Sequence, residues 1–178
     1  DTYFPTETLQ GGAGTSTNLN VDEVVANVAL KFLGKPAGSY AIIHPVDDVN
    51  RGQSTNDSVP TALHITLIKM LQELVHSCTD LQTSLNAKAK AYAHIQKLGR
   101  TELEDAVPIT LGREFGAYAK AIPRDCIRLT RIQEDLLPVN LGGTAVGVSN
   151  TASPAYKKAV YKYLQQVTGL PLRPAEDL

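Results

Sequence analysis

The sequence has no tryptophan, one methionine (Met70) and two cysteines, Cys78 and Cys126. The two thiols stand far apart, with no Cys-x-x-Cys pair and no metal-like spacing to the four histidines. A disulfide scaffold and a zinc module are thereby excluded, and two reduced thiols in a cytoplasmic protein are expected. No apolar run approaches the roughly 18 residues of a membrane-crossing helix. The first residues, Asp1-Thr2-Tyr3-Phe4-Pro5, do not have the form of a secretory signal; starting so abruptly, the chain is expected to be a piece of a longer one. Neither sign of charge dominates: 17 Lys and Arg against 18 Asp and Glu give a formal net charge of −1, without a basic block. Nucleic acid and membranes are therefore not expected partners. Strand-like alternation is nearly absent, and so are internal repeats and low-complexity tracts.

What is present is a helical composition. Apolar residues make up 43% and charged residues 20% of 178 positions, enough for one globular domain with a core and a second small one. After a polar, Gly/Thr-rich start, Asn20 or Asp22 is placed to cap a helix through "VDEVVANVALKFL", which Gly34 stops. Residues 34–59 read as loop, and Pro60 suits the first turn of the next helix, where a missing N–H costs nothing. From there Leu63, Leu67, Leu71, Leu74, Cys78, Leu81 and Leu85 recur at steps of three and four, a helical stripe close to the period of bundle packing. With no breaker before Tyr92, that helix should be roughly 30 residues and about 45 Å long. Helices of this length belong to bundles, often bundles shared between subunits. A further helical run is expected from Leu111 to Leu137, kinked or split by Pro123, and a last one over 155–168. The fold class is all-α, a long-helix bundle with few or no strands.

Three loops carry more polar groups than a turn needs. In "GGAGTST" (11–17) the phosphate-loop pattern fails for want of a lysine and a preceding strand. A flexible turn is one reading; the other is a set of exposed N–H groups and hydroxyls, Thr15 among them, suited to a carboxylate. "QSTNDSVPT" (53–61) stands at a helix N-terminus, where free N–H groups and the helix dipole favour anions. Asp57 or Ser58 is enough for a cap, which leaves Ser54, Thr55 and Asn56 as surplus donors; an elaborate cap is the bland alternative. "GRTELEDAVP" (99–108) again opens on a hydroxyl, Thr101, in a loop where Arg100 pairs with Glu102, Glu104 or Asp105. No Gly-x-Ser-x-Gly or His-Glu-x-x-His is present. His64 and His76 read as solvated or satisfied residues of the long helix, and His44 before Pro45 as a loop-shaping residue. Gathered around one point, the three loops would make a preorganised anion cradle.

The runs "QGGAGTSTNLNVDEVVAN" (10–27), "HPVDDVNRGQSTNDSVPTALHI" (44–65) and "GRTELEDAVPITLGREF" (99–115), in that order and spacing, resemble the aspartase/fumarase superfamily. "NLGGTAVGVSNT" (140–151) is similar to the family's next glycine-rich loop, so that the likeness covers nearly the whole chain. "QGGAGTSTN", "QSTND" and "VTGLPLRPAEDL" (167–178) resemble the aspartate ammonia-lyase branch more than the class II fumarases, which read "SGTQSN" and "QSSND" at the first two places. The resemblance implies a helical subunit whose long central bundle joins three copies in a homotetramer, with active sites built from loops of three subunits. It places residues 1–55 at the end of the N-terminal region and its linking loops, and 56–178 in the central bundle domain. It implies a cofactor-free and metal-free anti elimination of ammonia from L-aspartate, giving fumarate through an aci-carboxylate intermediate. Thr15, Ser54, Thr55 and Thr101 would hold the carboxylate beside the carbon that loses its proton, and Asn56 would lie near the departing amino group.

Two positions depart from that pattern. Glu102 stands where the family usually has His or Gln, so it would either pair with the substrate ammonium or repel the dianion. Pro123 falls in a helix that the family runs through. The family's catalytic base is a serine on a Gly-Ser-Ser-x-x-Met-Pro-x-Lys-x-Asn loop, and this chain has no Ser-Ser pair. An internal piece that carries binding residues, lacks the base and is inactive alone is therefore expected. The alternatives are a class II fumarase or another lyase of the superfamily, and a non-catalytic helical oligomerisation module.

Overall fold

The computed structural model describes residues 2–7, 9 and 13–178. Gln10, Gly11 and Gly12 of the first glycine run lie outside the described residues. The chain forms two compact units, one of residues 1–66 with 137–178, the other of residues 67–136.

In the first unit, α1 (Thr15–Phe32) begins six residues before Val21, the start expected with Asn20 as its cap, and follows Gly14 in the left-handed conformation. Asn20 and Asp22, expected as caps, lie inside the helix. Their side chains find other partners: Asp22 accepts from the Asn18 amide at 3.1 Å, and Asn20 donates to the carbonyl of Tyr3 at 3.0 Å and accepts from Thr6 Oγ1 at 3.2 Å. A π-helical turn (Pro45–Val49) follows, capped by His44, whose Nδ1 accepts from the amides of Val46 and Asp47. That is the loop-shaping role expected of it. Toward the C-terminus, β3 (Pro138–Val139) pairs in parallel with β4 (Arg173–Pro174). Between them runs the last helix (Pro154–Thr168), which Ser153 caps through the amide of Tyr156. Gly169, at φ 71°, ends it in the left-handed turn that glycine adopts without strain. Ala26, Leu30, Val139, Leu141, Leu170 and Leu172 form the buried centre of this unit.

The long helix α2 (Thr55–Ala91) has 37 residues and contributes to both units. It starts before Pro60, not at it. The second unit continues with the antiparallel hairpin β1 (Gln96–Thr101) and β2 (Glu104–Thr110), then α3 (Leu111–Asp135). The hairpin occupies the segment expected to be a loop. Val107, Ile109 and Thr110 favour the extended strand, and Glu102 and Leu103, at φ 52° and 66°, supply the two-residue turn. α3 runs as one helix through Pro123, so the split, the second of the two outcomes expected of that proline, does not occur. Pro123 has no N–H to give the carbonyl of Ala119 one turn back; Arg124 Nη1 donates to the next carbonyl along, that of Lys120, at 3.0 Å. Thr110 caps α3 through the amide of Arg113, and Lys97 binds Glu114 at 2.6 Å, tying hairpin to helix. Gly112 lets α3 meet the end of α2: a Cβ there would press into the carbonyl of Ala89 and lie 2.7 Å from Ala93. Cys78 and Cys126 are both free; burial and the neighbouring Cys126 thiol raise the pKa of Cys78.

Candidate functional site

Ser54 itself caps α2, where Asp57 or Ser58 was expected to. Its Oγ accepts from the amide of Asn56 at 3.2 Å, while the Asp57 carboxylate reaches back to the amide of Ser54 at 3.1 Å. This reciprocal arrangement satisfies two amides that a helix start leaves open. An Oγ that already accepts an N–H keeps its own O–H to donate. Ser54 and Thr55 are half-buried and Asn56 is exposed, so the mouth of α2 carries reachable neutral donors.

The first motif comes to the same place. An added Cβ at Gly14 would lie 3.0 Å from Cγ1 of Val59, so the amino end of α1, with exposed Thr15 as its first residue, rests on the second turn of α2. Behind this contact is a buried polar knot centred on Asn18. Its amide nitrogen donates to Asp22 (3.1 Å) and Asn50 (3.2 Å), and its oxygen accepts from Ser58 (2.5 Å). Burial raises the pKa of Asp22 above its ordinary 3.8.

The fourth glycine-rich loop closes on the mouth of α2 through two bonds. Pro60 has no N–H, so within the helix it cannot serve the carbonyl of Asn56, and Asn140 Nδ2 donates to that oxygen at 2.8 Å. Thr144 places its amide 3.0 and 3.1 Å from the two carboxylate oxygens of Asp57, a residue only 1% exposed. Tyr161 donates to the carbonyls of Val139 and Leu141 at 3.1 and 2.8 Å. Burial first, then Tyr156 and Asp57, push its pKa up to about 12; Tyr156 is raised by burial and by Asp57.

Thr15, Ser54, Thr55 and Asn56 thus belong to one unit, at the adjoining starts of two helices. Thr101 and Glu102 belong to the other: Thr101 ends β1, Glu102 opens the turn, and both are exposed. Arg100 pairs with Asp105 (3.1 Å), one of the three partners expected. Asn18, Asp22, Asp57, Asn140 and Thr144, which fix the mouth of α2, were not singled out as site residues from the sequence. A polar pair four apart on an otherwise apolar helix face was the available signal for Asn18 and Asp22. A groove of about 570 Å³ lies elsewhere in the first unit, along α1 beside Tyr3, Asn20, Glu23 and Lys31, and contains none of the predicted site residues. Among the described residues, no cluster of three His, Cys, Asp or Glu is disposed to hold a metal ion, and no helix is long and apolar enough to cross a membrane.

The family model Lyase_1, described as lyase, matches residues 1–178. An aspartate ammonia-lyase of Pseudomonas aeruginosa is 47% identical over 176 residues, which cover 98% of this chain and 37% of that protein. Among solved structures, a fumarate lyase:delta crystallin from Brucella melitensis is similar at a TM-score of 0.89 and 46% identity, over 95% of this chain and 37% of the other. A class II fumarase from Schistosoma mansoni gives a TM-score of 0.88 at 30% identity, over 99% and 40%. The chain therefore spans well under half the length of the relatives it matches.

Proposed function

This chain belongs to the Lyase_1 family of lyases, and from that premise we propose that the protein carrying it eliminates ammonia from L-aspartate to give fumarate. Its part is to bind the carboxylate next to the carbon that loses a proton. Removal of that proton leaves two negative charges on the carboxylate as an aci-carboxylate; loss of ammonia from the neighbouring carbon then forms the double bond. Thr15, Ser54 and Thr55 donate to the accumulating charge, Thr101 is contributed by another subunit of the assembly, and Asn56 orients the leaving amine. Preorganised neutral donors stabilise such a charge strongly, and they bind the ground state less tightly than a lysine or arginine would. The proton-abstracting serine is supplied from outside these residues, and so is the completed site, through assembly into a homotetramer. The segment alone is then inactive. No cofactor enters this chemistry.

The observation that carries the proposal is the junction of α1 and α2. Gly14 against Val59 brings Thr15 to the mouth where Ser54, its lone pair already engaged by Asn56, presents its hydroxyl. Support for assembly is the apolar stripe of α2, where Leu63, Leu67, Met70, Leu74 and Leu81 are all exposed in the single chain. In the second unit, Ile68 and Ala119 are the buried apolar residues among those described. A unit with so little core gains stability by burying the stripe in an interface.

The deciding experiment assays the full-length protein for ammonia release from L-aspartate and, separately, for hydration of fumarate to malate. Ammonia release supports the proposal; hydration without ammonia release supports a fumarase, the reading favoured by the similarity to the Schistosoma enzyme. Sedimentation of the same protein tests assembly, and a monomer that persists at micromolar concentration contradicts the bundle.

A further inference from the structure

We propose that Asn18 is the positioning residue that holds the starts of α1 and α2 in register, so that the hydroxyls of Thr15 and Ser54 meet one substrate carboxylate. The inference rests on the lyase reading for its kinetic consequence and on geometry alone for its structural one. Asn18 is 7% exposed, and its carboxamide is fully engaged. Through Asp22 it bonds its own helix; through Asn50 it bonds the loop before α2, whose Nδ2 in turn donates to the carbonyl of Gln53 at 3.4 Å; through Ser58 it bonds the first turn of α2. Ser58 Oγ also lies 3.2 Å from the carbonyl of Ser54, so the bond from Asn18 ends one contact from a proposed substrate donor. Thr15 stands three residues before Asn18, and therefore on the same side of α1.

Chemistry selects an amide at this position. Two acceptors, Asp22 and Asn50, require two N–H donors, while Ser58 requires an acceptor; asparagine offers both on a short stem. Aspartate would set a second carboxylate against Asp22. Leucine, of nearly the same shape, would leave the half-buried Ser58 hydroxyl and the buried Asp22 carboxylate without this partner. The knot is a three-way strut, and a small displacement of donors fixed this way slows a reaction that depends on preorganisation.

The test uses the full-length protein with Asn18→Leu, Ser58→Ala and the pair combined, beside Leu172→Ala, a core truncation in the same unit that touches none of the knot. Asn18→Leu should lower kcat for ammonia release by about tenfold or more, with KM changed far less, because the displaced donors act on charge developed in the transition state. The double variant should be little worse than Asn18→Leu alone, since both single changes cut the same strut. Amide hydrogen exchange over residues 54–58 should accelerate about tenfold in Asn18→Leu and Ser58→Ala but not in Leu172→Ala. Additive losses, an unchanged kcat in both single variants, or equal losses in Leu172→Ala would overturn the proposal. An unaltered protein that releases no ammonia refutes the lyase reading instead, and the exchange rates then decide on Asn18 by themselves. Should Asn18→Leu fail to fold, Ser58→Ala cuts the same strut from the α2 side, and its kcat and exchange rates decide.

Discussion

Replacing Asp57 with alanine tests the joint that fixes the mouth of α2. The carboxylate is 1% exposed and accepts from the Thr144 amide with both oxygens and from the Ser54 amide with one. Alanine leaves the Thr144 N–H buried without this acceptor, at about 1–3 kcal/mol. It also removes one half of the reciprocal cap, worth about 1 kcal/mol. Water reaches the half-buried Ser54 amide more easily, so the two effects sum to about 3 kcal/mol. At roughly 2–4 °C per kcal/mol for a chain of this size, melting should fall by about 6–12 °C. Asp57→Asn keeps one oxygen as acceptor and should lose about half as much. Far-UV circular dichroism on thermal and urea unfolding gives both numbers. An Asp57→Ala chain within about 1 kcal/mol of the original would refute the reasoning, because a buried acceptor shared by two segments cannot then be what joins them.

Three further outcomes follow from single contacts. Burial raises the pKa of Asp22, so the folded state keeps that proton to higher pH than the unfolded chain; stability then falls as pH rises from 3.8 through the raised value, and the deficit is complete above it. Asp22→Asn still accepts from Asn18 and should remove this slope, raising stability at neutral pH relative to acid; urea unfolding at neutral and acid pH checks it, and a steeper or unchanged slope contradicts it. Gly112→Ala drives a methyl group into the backbone of Ala89 and Ala93 and should destabilise the second unit by about 3 kcal/mol or more, read as faster hydrogen exchange in α3. Tyr161→Phe withdraws the hydroxyl from two carbonyls and should lower stability by about 1–2 kcal/mol in urea unfolding.

The helical class and the long α2 were legible because the Leu63–Leu85 stripe repeats with the helical period and no proline interrupts it. The start of α1 was not, because Asn20 and Asp22, both of cap-forming type, find partners from within the helix: Asp22 accepts from Asn18, and Asn20 donates to the carbonyl of Tyr3. The hairpin at 96–110 escaped for a different reason. Its turn is built from Glu102 and Leu103 in left-handed conformations that glycine or asparagine would ordinarily announce. Pro60 misled most usefully. Taken as a helix start, it is instead the residue whose missing N–H leaves the Asn56 carbonyl to Asn140, and the sequence holds no hint of a partner 84 positions away.

The distribution of charge explains how an anion can approach a helix mouth that contains a carboxylate. Asp57 stands in the first turn of α2, where a carboxylate turned to solvent would repel the dicarboxylate of the proposed reaction. It is instead turned inward and saturated by the amides of Thr144 and Ser54. Asp22 is likewise buried, against the Asn18 amide. What remains toward solvent at the junction of α1 and α2 is exposed Thr15, half-buried Ser54 and Thr55, and exposed Asn56, all of them neutral. The fold's own carboxylates are thus engaged in holding the loops together, which leaves a neutral polar surface of the kind the proposed elimination requires. Reversing either assignment, with a hydroxyl inside or a carboxylate outside, would weaken the joint and the binding face together.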